Sequence, residues 1–250
     1  VYECVIKIWC FFDTNFHLTV QRKDIGILSC CYLYLLIFHF SRTNLMKNIL
    51  RFTVLTVLWA IFAFTAKSQT NSIELKDGSG TLINQYNSIT AAIAAIPTTI
   101  TKAYVIEITG TYTGSSETLP IVFPAIAGAS ATNTITLRPA TGVNSTSIAT
   151  SAAGTVMQFN DADYVIIDGR PGGTGTTKAL TIAQTNTGTS TTVQFINGAT
   201  RNIMRYCKVV NGSTTSAGRA IQFSTSASNP TGNSYNLIES CIVDGGRYGI

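Results

Sequence analysis

The chain has 250 residues, of which 45% are hydrophobic and 12% are charged, and its formal net charge is +5. This apolar composition excludes a solvated, disordered chain, and the length suffices for one large domain. The charge is uneven, because residues 1–69 hold seven Lys/Arg and three Asp/Glu whereas residues 70–250 hold ten and nine. The longer part has no basic cluster or stripe, so the sequence predicts no nucleic-acid partner.

The segment 46–68 has the layout of a secretory signal peptide. A short positive region begins at Met46, an uncharged apolar run covers 52–64, and Ser68 precedes a predicted cleavage before Gln69. The apolar run is shorter than the ~20 residues of a membrane span, and an uncleaved anchor is the alternative. We therefore expect a secreted or cell-surface protein with no membrane span in the mature chain.

Residues 1–45 precede this signal pattern, although a secretory signal peptide is expected at the N-terminus of an exported protein. We interpret them as a spurious upstream extension of the reading frame, with Met46 as the true start. The apolar stretch over 25–40 leaves a membrane segment as the alternative interpretation.

The first predicted element of the secreted part is a helix over 87–96. Ser88 can cap its start, isoleucines recur at helical spacing, and Pro97 ends it. The apolar stripe is narrow, so we expect this helix to cover the end of another structure, ahead of the first strand.

Short alternating strands bounded by turn residues are predicted to follow the helix. We expect them at 104–108, 134–137, 156–159, 164–167 and 179–182. An apolar-Gln-Phe core then recurs around Gln158, Gln194 and Gln222, at spacings of 36 and 28 residues. A period of 20–50 residues built from short strands predicts a solenoid.

Stacking such strands in register would place equivalent residues about 4.8 Å apart. The residues that flank each Gln would then line up inside the coil, as Met157 and Phe159 do with Val193 and Phe195. The Gln side chains between them would point outward or stack as an amide ladder. A single coil cannot bury its own apolar face, so the first coil needs a cap.

The segments 88–97 and 104–112 resemble the N-terminal cap and first coil of pectin-lyase-like proteins of the secreted bacterial type. The segments 164–169 and 202–207 resemble coil motifs of the same superfamily. The resemblance implies right-handed winding, which agrees with the crossover rule for parallel strands. The predicted fold class is therefore all-β, a right-handed parallel β-helix with an N-terminal capping helix.

The end of the chain at 247–250 reads as the beginning of a new strand. We therefore expect residues 69–250 to be the N-terminal part of a β-helix domain that is truncated at its C-terminus. The resemblance covers about residues 86–250 and favours no single activity. The superfamily hosts lyases, hydrolases, esterases, adhesins and inert stalks.

Asp161, Asp163 and Asp168 are the candidate metal ligands, because oxygen ligands at this spacing suit Ca²⁺. The alternative is that all three are turn residues or precede a turn glycine. Residues 70–250 contain no histidine, which removes imidazole nucleophile and metal chemistry from the mature part.

Related pectate lyases pair Ca²⁺ with a basic residue that abstracts the proton beside a uronate carboxylate. That resemblance would cast one of four arginines as the base or as a carboxylate clamp: Arg170, Arg205, Arg219 and Arg247. No catalytic motif of the family matches residue by residue, so we assign no catalytic residue.

Two residue pairs recur at the same place in successive coils, each 34 residues apart. Cys207 and Cys241 predict either a disulfide in an exported protein or a stack of reduced, buried thiols. Asn202 and Asn236 predict a structural amide ladder rather than ligand contacts.

The function that these features favour is a binding or structural, adhesin-like role. The expected partner is a polysaccharide or another cell-surface polymer, held along an elongated face rich in Thr, Ser, Asn and Tyr. The alternative is a carbohydrate-active enzyme, such as a Ca²⁺-dependent polysaccharide lyase, whose active site lies in downstream coils.

Overall fold

The structure is a computed structural model, and it describes residues 71–224 and 232–250. The predicted signal peptide, its cleavage site and the interpretation of residues 1–45 lie outside the described residues. Within the two described ranges, no helix has the length and apolar character needed to cross a membrane.

Short strands make up most of the described chain. The first eight are β1 (Ile73–Asp77), β2 (Leu82–Tyr86), β3 (Tyr104–Ile108), β4 (Ile121–Pro124), β5 (Ile135–Pro139), β6 (Thr146–Thr150), β7 (Thr155–Asn160) and β8 (Val165–Asp168). The other seven are β9 (Leu180–Gln184), β10 (Thr191–Ile196), β11 (Ile203–Arg205), β12 (Lys208–Asn211), β13 (Arg219–Phe223), β14 (Leu237–Glu239) and β15 (Ile242–Gly245).

These strands form three sheets. Sheet I has the order β14-β11-β8-β5-β3-β1-β2, sheet II the order β13-β10-β7-β4, and sheet III the order β15-β12-β9-β6. From β4 onward the chain passes through sheets II, I and III in turn, and it repeats this circuit about four times. All pairs between these strands are parallel. The predicted all-β parallel solenoid is confirmed.

The N-terminal end of the solenoid is closed by a hairpin and a helix. Strands β1 and β2 pair antiparallel, and β1 also pairs antiparallel with β3. The helix α1 (Ile89–Ala94) follows, and the Ser88 hydroxyl accepts a hydrogen bond from the Ala91 amide at 3.1 Å, as expected of a cap. Its buried residues Ile89, Ala92 and Ile93 face the core.

The expectation that the helix precedes the first strand is wrong, because β1 and β2 come before it. A tight turn makes this hairpin: the Asp77 carboxylate accepts hydrogen bonds from the Ser79 and Thr81 amides at 3.1 and 3.0 Å. Gly80 lies in this turn with φ = 90°, a conformation that glycine adopts without steric cost. The pairing of β1 with β3 joins the hairpin to sheet I, and Ile73 and Leu75 of β1 belong to the hydrophobic core.

A column of stacked phenylalanine rings fills the inside of sheet II. Phe123, Phe159, Phe195 and Phe223 follow one another with ring centroids 5.5, 4.3 and 4.6 Å apart. The first three are fully buried, whereas Phe223 in the last described coil is 40% exposed. The predicted inward row of Met157 and Phe159 is thereby confirmed, and Phe123 extends it by one coil.

The glutamines between these rings are half-exposed, on the outer side of sheet II. Gln158 lies opposite Gln194, and its amide nitrogen donates to the Gln194 side-chain oxygen at 2.8 Å. The Gln194 side-chain nitrogen donates in turn to the Ser224 hydroxyl at 3.2 Å, while Gln222 accepts from the Thr191 hydroxyl. The expected outward direction and the amide ladder therefore occur together.

Replacement of one ring in the column should cost stability in proportion to its burial. Phe159→Ala deletes a fully buried ring between two others, and we expect it to lower the free energy of unfolding by about 3–5 kcal/mol. Phe223→Ala deletes a ring that is 40% exposed and is the matched control with a clearly smaller loss. Urea unfolding followed by circular dichroism measures both. Equal losses of unfolding free energy for the two variants would contradict a contribution in proportion to burial.

Candidate functional site

A row of alternating charges runs along the outer side of sheet I, the side that faces away from the core. Strand register places Glu107 opposite Arg138, and Arg205 opposite both Asp168 and Glu239. The five positions therefore read minus, plus, minus, plus, minus along the solenoid axis. Opposite charges on neighbouring strands attract, so this order stabilises the stack. We call these five residues the charge row.

Glu107 anchors the N-terminal end of the charge row. Its carboxylate accepts two hydrogen bonds from the Arg138 guanidinium at 2.9 and 2.7 Å and one from the Lys76 ammonium at 2.6 Å. Only 6% of its side chain is exposed, so the two cations cover it almost completely. This end of the row is a satisfied structural network.

Asp168 is the centre of the charge row and carries two guanidinium partners. Arg170 binds it in a bidentate manner at 2.9 and 2.7 Å, and the Arg205 Nε donates to its Oδ2 at 2.9 Å. The carboxylate is 1% exposed, whereas the arginine side chains are 16% and 31% exposed. The buried part of the cluster is anionic, and its exposed part is cationic.

The arginines set the protonation of this cluster. Burial raises the pKa of the Asp168 carboxyl, but the hydrogen bonds from Arg170 and the charges of Arg205 and Arg170 outweigh it, so the pKa lies below its ordinary value. The hydrogen bond to Asp168 raises the pKa of Arg170. Two guanidiniums therefore share Asp168, and the exposed Glu239 lies opposite Arg205 on the next strand. With Lys178 beside them, three cations face two carboxylates, and the cluster has a net charge of +1.

An aromatic ring lies beside this positive cluster. The Arg170 guanidinium is 4.7 Å from the centroid of the Tyr206 ring, and the Lys178 ammonium is 5.6 Å from it. The glycine-rich segment that joins Arg170 to Lys178 folds back over the preceding coil. A Cβ added at Gly173 would meet the Arg138 guanidinium at 2.8 Å, so the loop lies close against the charge row.

A second row lies where the chain enters sheet I. Tyr164, Arg201 and Tyr235 occupy equivalent positions in three coils, and all three have left-handed backbone φ angles of 56°, 57° and 60°. The Arg201 guanidinium is 5.8 Å from the Tyr164 ring centroid and 5.2 Å from that of Tyr235. Tyr235 is 80% exposed. We call this set the tyrosine row.

An aliphatic strip separates the two rows. Ile166, Ile203 and Leu237 lie opposite one another, and all three are at least partly exposed. The outer side of sheet I thus presents the exposed Tyr235 ring, the partly exposed Tyr164 ring and Arg201 along one edge, and partly exposed guanidiniums along the other. We call the charge row, the aliphatic strip and the tyrosine row together the sheet I face.

The three predicted metal ligands do not converge. Asp163 accepts hydrogen bonds from the Thr200 amide at 3.0 Å and from the Thr200 hydroxyl, Asp161 is exposed in a turn with φ = 55°, and Asp168 is paired with arginines. Among the residues that the structure describes, no three His, Cys, Asp or Glu side chains are placed to hold a metal ion.

The two predicted asparagines are in adjacent coils and share hydrogen bonds. The Asn202 side chain donates to the Asn236 Oδ1 at 3.0 Å and to the Ala162 carbonyl at 2.8 Å, and its own oxygen accepts from the Val165 amide at 2.9 Å. The Asn236 side chain donates to the Ala199 carbonyl at 2.8 Å. These bonds satisfy backbone groups at the corner between sheets II and I, and they leave Asn202 1% exposed.

The two predicted cysteines are also neighbours, and both are free thiols. Cys207 is buried and Cys241 is partly exposed.

Of the other arginines considered from sequence, Arg219 begins β13 and donates to the Ala217 carbonyl at 2.9 Å. Arg247 lines an open, hydroxyl-rich cavity of about 390 Å³ beyond sheet III. The structure thus joins only Arg170 and Arg205 into one cluster.

The sequence reasoning did not identify Glu107 and Arg138 as site residues, nor Arg201 beside the tyrosines. Part of the signal is present, since Arg138 and Asp168 each come directly after a predicted strand, 134–137 and 164–167. Aligning these two strands places Arg138 beside Asp168. Glu107 lies inside the predicted strand 104–108, and aligning the strand ends would not have placed it opposite Arg138.

Comparison with known proteins adds no relative. No family model, no curated protein and no solved structure matches this chain. The fold and the sheet I face therefore rest on this chain's own strands and contacts.

The stability that Asp168 contributes should depend on pH. Asp168→Asn leaves the shape and removes the charge that holds two guanidiniums, and we expect a loss of ~2 kcal/mol at pH 7, moderated by the partial exposure of both arginines. Because the pKa of Asp168 is lower in the folded than in the unfolded state, its carboxylate stabilises the fold fully at pH values above the unfolded-state pKa. This stabilisation is lost as the pH falls through the folded-state pKa. The difference from wild type should therefore shrink below about pH 4.

Urea unfolding at several pH values measures this dependence. Asp244→Asn, at an exposed carboxylate in β15, is the matched control and should change stability by less than ~0.5 kcal/mol. A loss for Asp168→Asn that is the same at pH 3 and pH 7 would show that the carboxylate charge is not the stabilising feature.

Proposed function

We propose that this protein is a secreted or cell-surface module of the pectin-lyase-like type, and that it binds an acidic polysaccharide along the sheet I face. The signal-peptide pattern at 46–68 supports export, and the motifs at the cap and in the coils support the superfamily. The parallel solenoid supplies the elongated, rigid surface that a polymer ligand requires.

The observation that carries the proposal is the pairing of two guanidiniums with one buried carboxylate. Arg170 and Arg205 share Asp168, and Lys178 lies nearby, so these three cations exceed the two carboxylates Asp168 and Glu239 by one charge. Guanidinium groups bind carboxylate and sulfate groups through paired N–H donors. A uronate or sulfated polymer supplies such anions at regular intervals.

Tyrosines on the sheet I face and beside it supply the second part of sugar recognition. Tyr206 lies beside the charged cluster, and the strongly exposed Tyr235 lies across the aliphatic strip. Exposed aromatic rings pack against the apolar faces of sugar rings while their hydroxyl groups remain in water. Charge and ring contacts therefore lie on one surface within a few strands of each other.

A binding role is favoured over proton abstraction by these arginines. The hydrogen bond to Asp168 raises the pKa of Arg170, which makes the neutral, basic form of this side chain still rarer. A cation fixed by a buried carboxylate is instead well suited to orient an anion. The same residues thus support a carboxylate clamp and do not favour a base.

The test compares binding of the full chain to polygalacturonate and to neutral dextran by isothermal titration. We expect binding to polygalacturonate only. Arg201→Ala removes an exposed cation between two rings and should weaken binding roughly three- to tenfold. Lys208→Ala removes an exposed cation from sheet III and is the matched control, with affinity within about twofold of wild type.

Two further measurements test the binding proposal: the dependence of affinity on salt, and an analysis of products released from the polymer. Raising the ionic strength should weaken the interaction, because exposed charges are screened over about 10 Å at 0.1 M salt. No binding to any acidic polymer, or equal losses for the two variants, would overturn the proposal. Unsaturated products released from polygalacturonate in the presence of Ca²⁺ would indicate a lyase instead of a binding module.

A further inference from the structure

Cys207 and Cys241 occupy equivalent positions in adjacent coils, each at the corner between a strand of sheet I and a strand of sheet III. Arg205 pairs with Glu239 on one side of them and Lys208 pairs with Ile242 on the other. The Ile242 amide donates to the Cys207 carbonyl at 2.9 Å. Neighbouring strands are ~4.8 Å apart, which lies inside the ~4.4–6.8 Å range of Cα distances that disulfides span.

The surroundings of the two thiols differ. Cys207 is 0% exposed and belongs to the hydrophobic core. It lies one residue before β12, in line with the buried Leu180 of β9. Cys241 packs against the same core but is partly exposed. Of the two cysteines, Cys241 is therefore the more accessible to a reagent.

Charge and hydrogen bonding make the two thiols chemically unequal as well. The hydrogen bond from the Cys207 thiol lowers the pKa of Cys241 to about 7 against the opposing effect of burial, and the Lys178 charge lowers it further. The same hydrogen bond and burial raise the pKa of Cys207. The accessible sulfur is thus the one that carries the thiolate.

We propose that Cys207 and Cys241 form a reactive thiol pair, in which Cys241 attacks small-molecule disulfides and Cys207 resolves the product into an intramolecular disulfide. This activity is independent of polysaccharide binding. The resulting disulfide joins the last two described coils covalently, and a reductant cleaves it again.

The chemistry balances with oxidised glutathione as the oxidant. The Cys241 thiolate attacks one sulfur of glutathione disulfide, forms a mixed disulfide and releases one glutathione thiolate. The Cys207 sulfur then loses its proton, attacks the Cys241 sulfur and releases the second glutathione. The two protein thiols lose two electrons and two protons, and the oxidant becomes two molecules of glutathione.

The test treats the native full chain with oxidised glutathione and identifies the products by peptide mapping, which separates this pair from the other cysteines. Wild type should yield a disulfide-linked peptide that contains Cys207 and Cys241. Cys207→Ser should stop at glutathione attached to Cys241. In Cys241→Ser, glutathione should attach to Cys207 at least tenfold more slowly than the wild type reacts.

A stability measurement accompanies the mapping. The oxidised wild type should unfold at a higher urea concentration than the reduced form, and dithiothreitol should reverse this shift. Both serine variants serve as controls and should show no shift on oxidation. Modification of Cys207 in native Cys241→Ser at the wild-type rate, or a wild-type product that stops at the mixed disulfide, would overturn the proposal.

Discussion

In-register stacking of parallel strands is the constraint on which the rest of this structure depends. Each residue lies ~4.8 Å from its equivalent in the next coil. Equivalent side chains of successive coils must therefore be of types that can pack against each other. Flat rings meet this condition in the core, where the Phe159 and Phe195 centroids are 4.3 Å apart. Amides meet it because each carries a donor and an acceptor, as Asn202 and Asn236 show.

Charged side chains cannot follow the same rule, because like charges on facing positions repel. The charge row meets the constraint by alternation, and Glu107 at its N-terminal end is enclosed by Lys76 and Arg138. Asp168 likewise has a second cation, because Arg170 comes from the following loop. Lys178 adds a further positive charge beside the Tyr206 ring. These cations and this ring are the basis of the proposed binding role.

Several parts of the fold were predictable because they recur. The Gln-Phe cores recur after 36 and 28 residues and the Asn and Cys pairs after 34, and this recurrence indicated stacked coils with Phe159 inside. The hairpin of β1 and β2 occurs once, so no repeat pointed to it, although Asp77 and Gly78 are a common turn pair. The charge row was hidden for another reason: its contacts span 31 residues in one coil and 37 in another.

The sequence by itself determined that the chain stacks as a parallel solenoid and that Cys207 and Cys241 become neighbours, because equal spacing of like residues leaves few other arrangements. Only the tertiary structure decided which polar partners meet. Asp163 and Asp168 look alike in the sequence, yet one binds Thr200 and the other binds two arginines. Those partners come from segments up to 37 residues away, and loops of unequal length set which side chains arrive at the same corner.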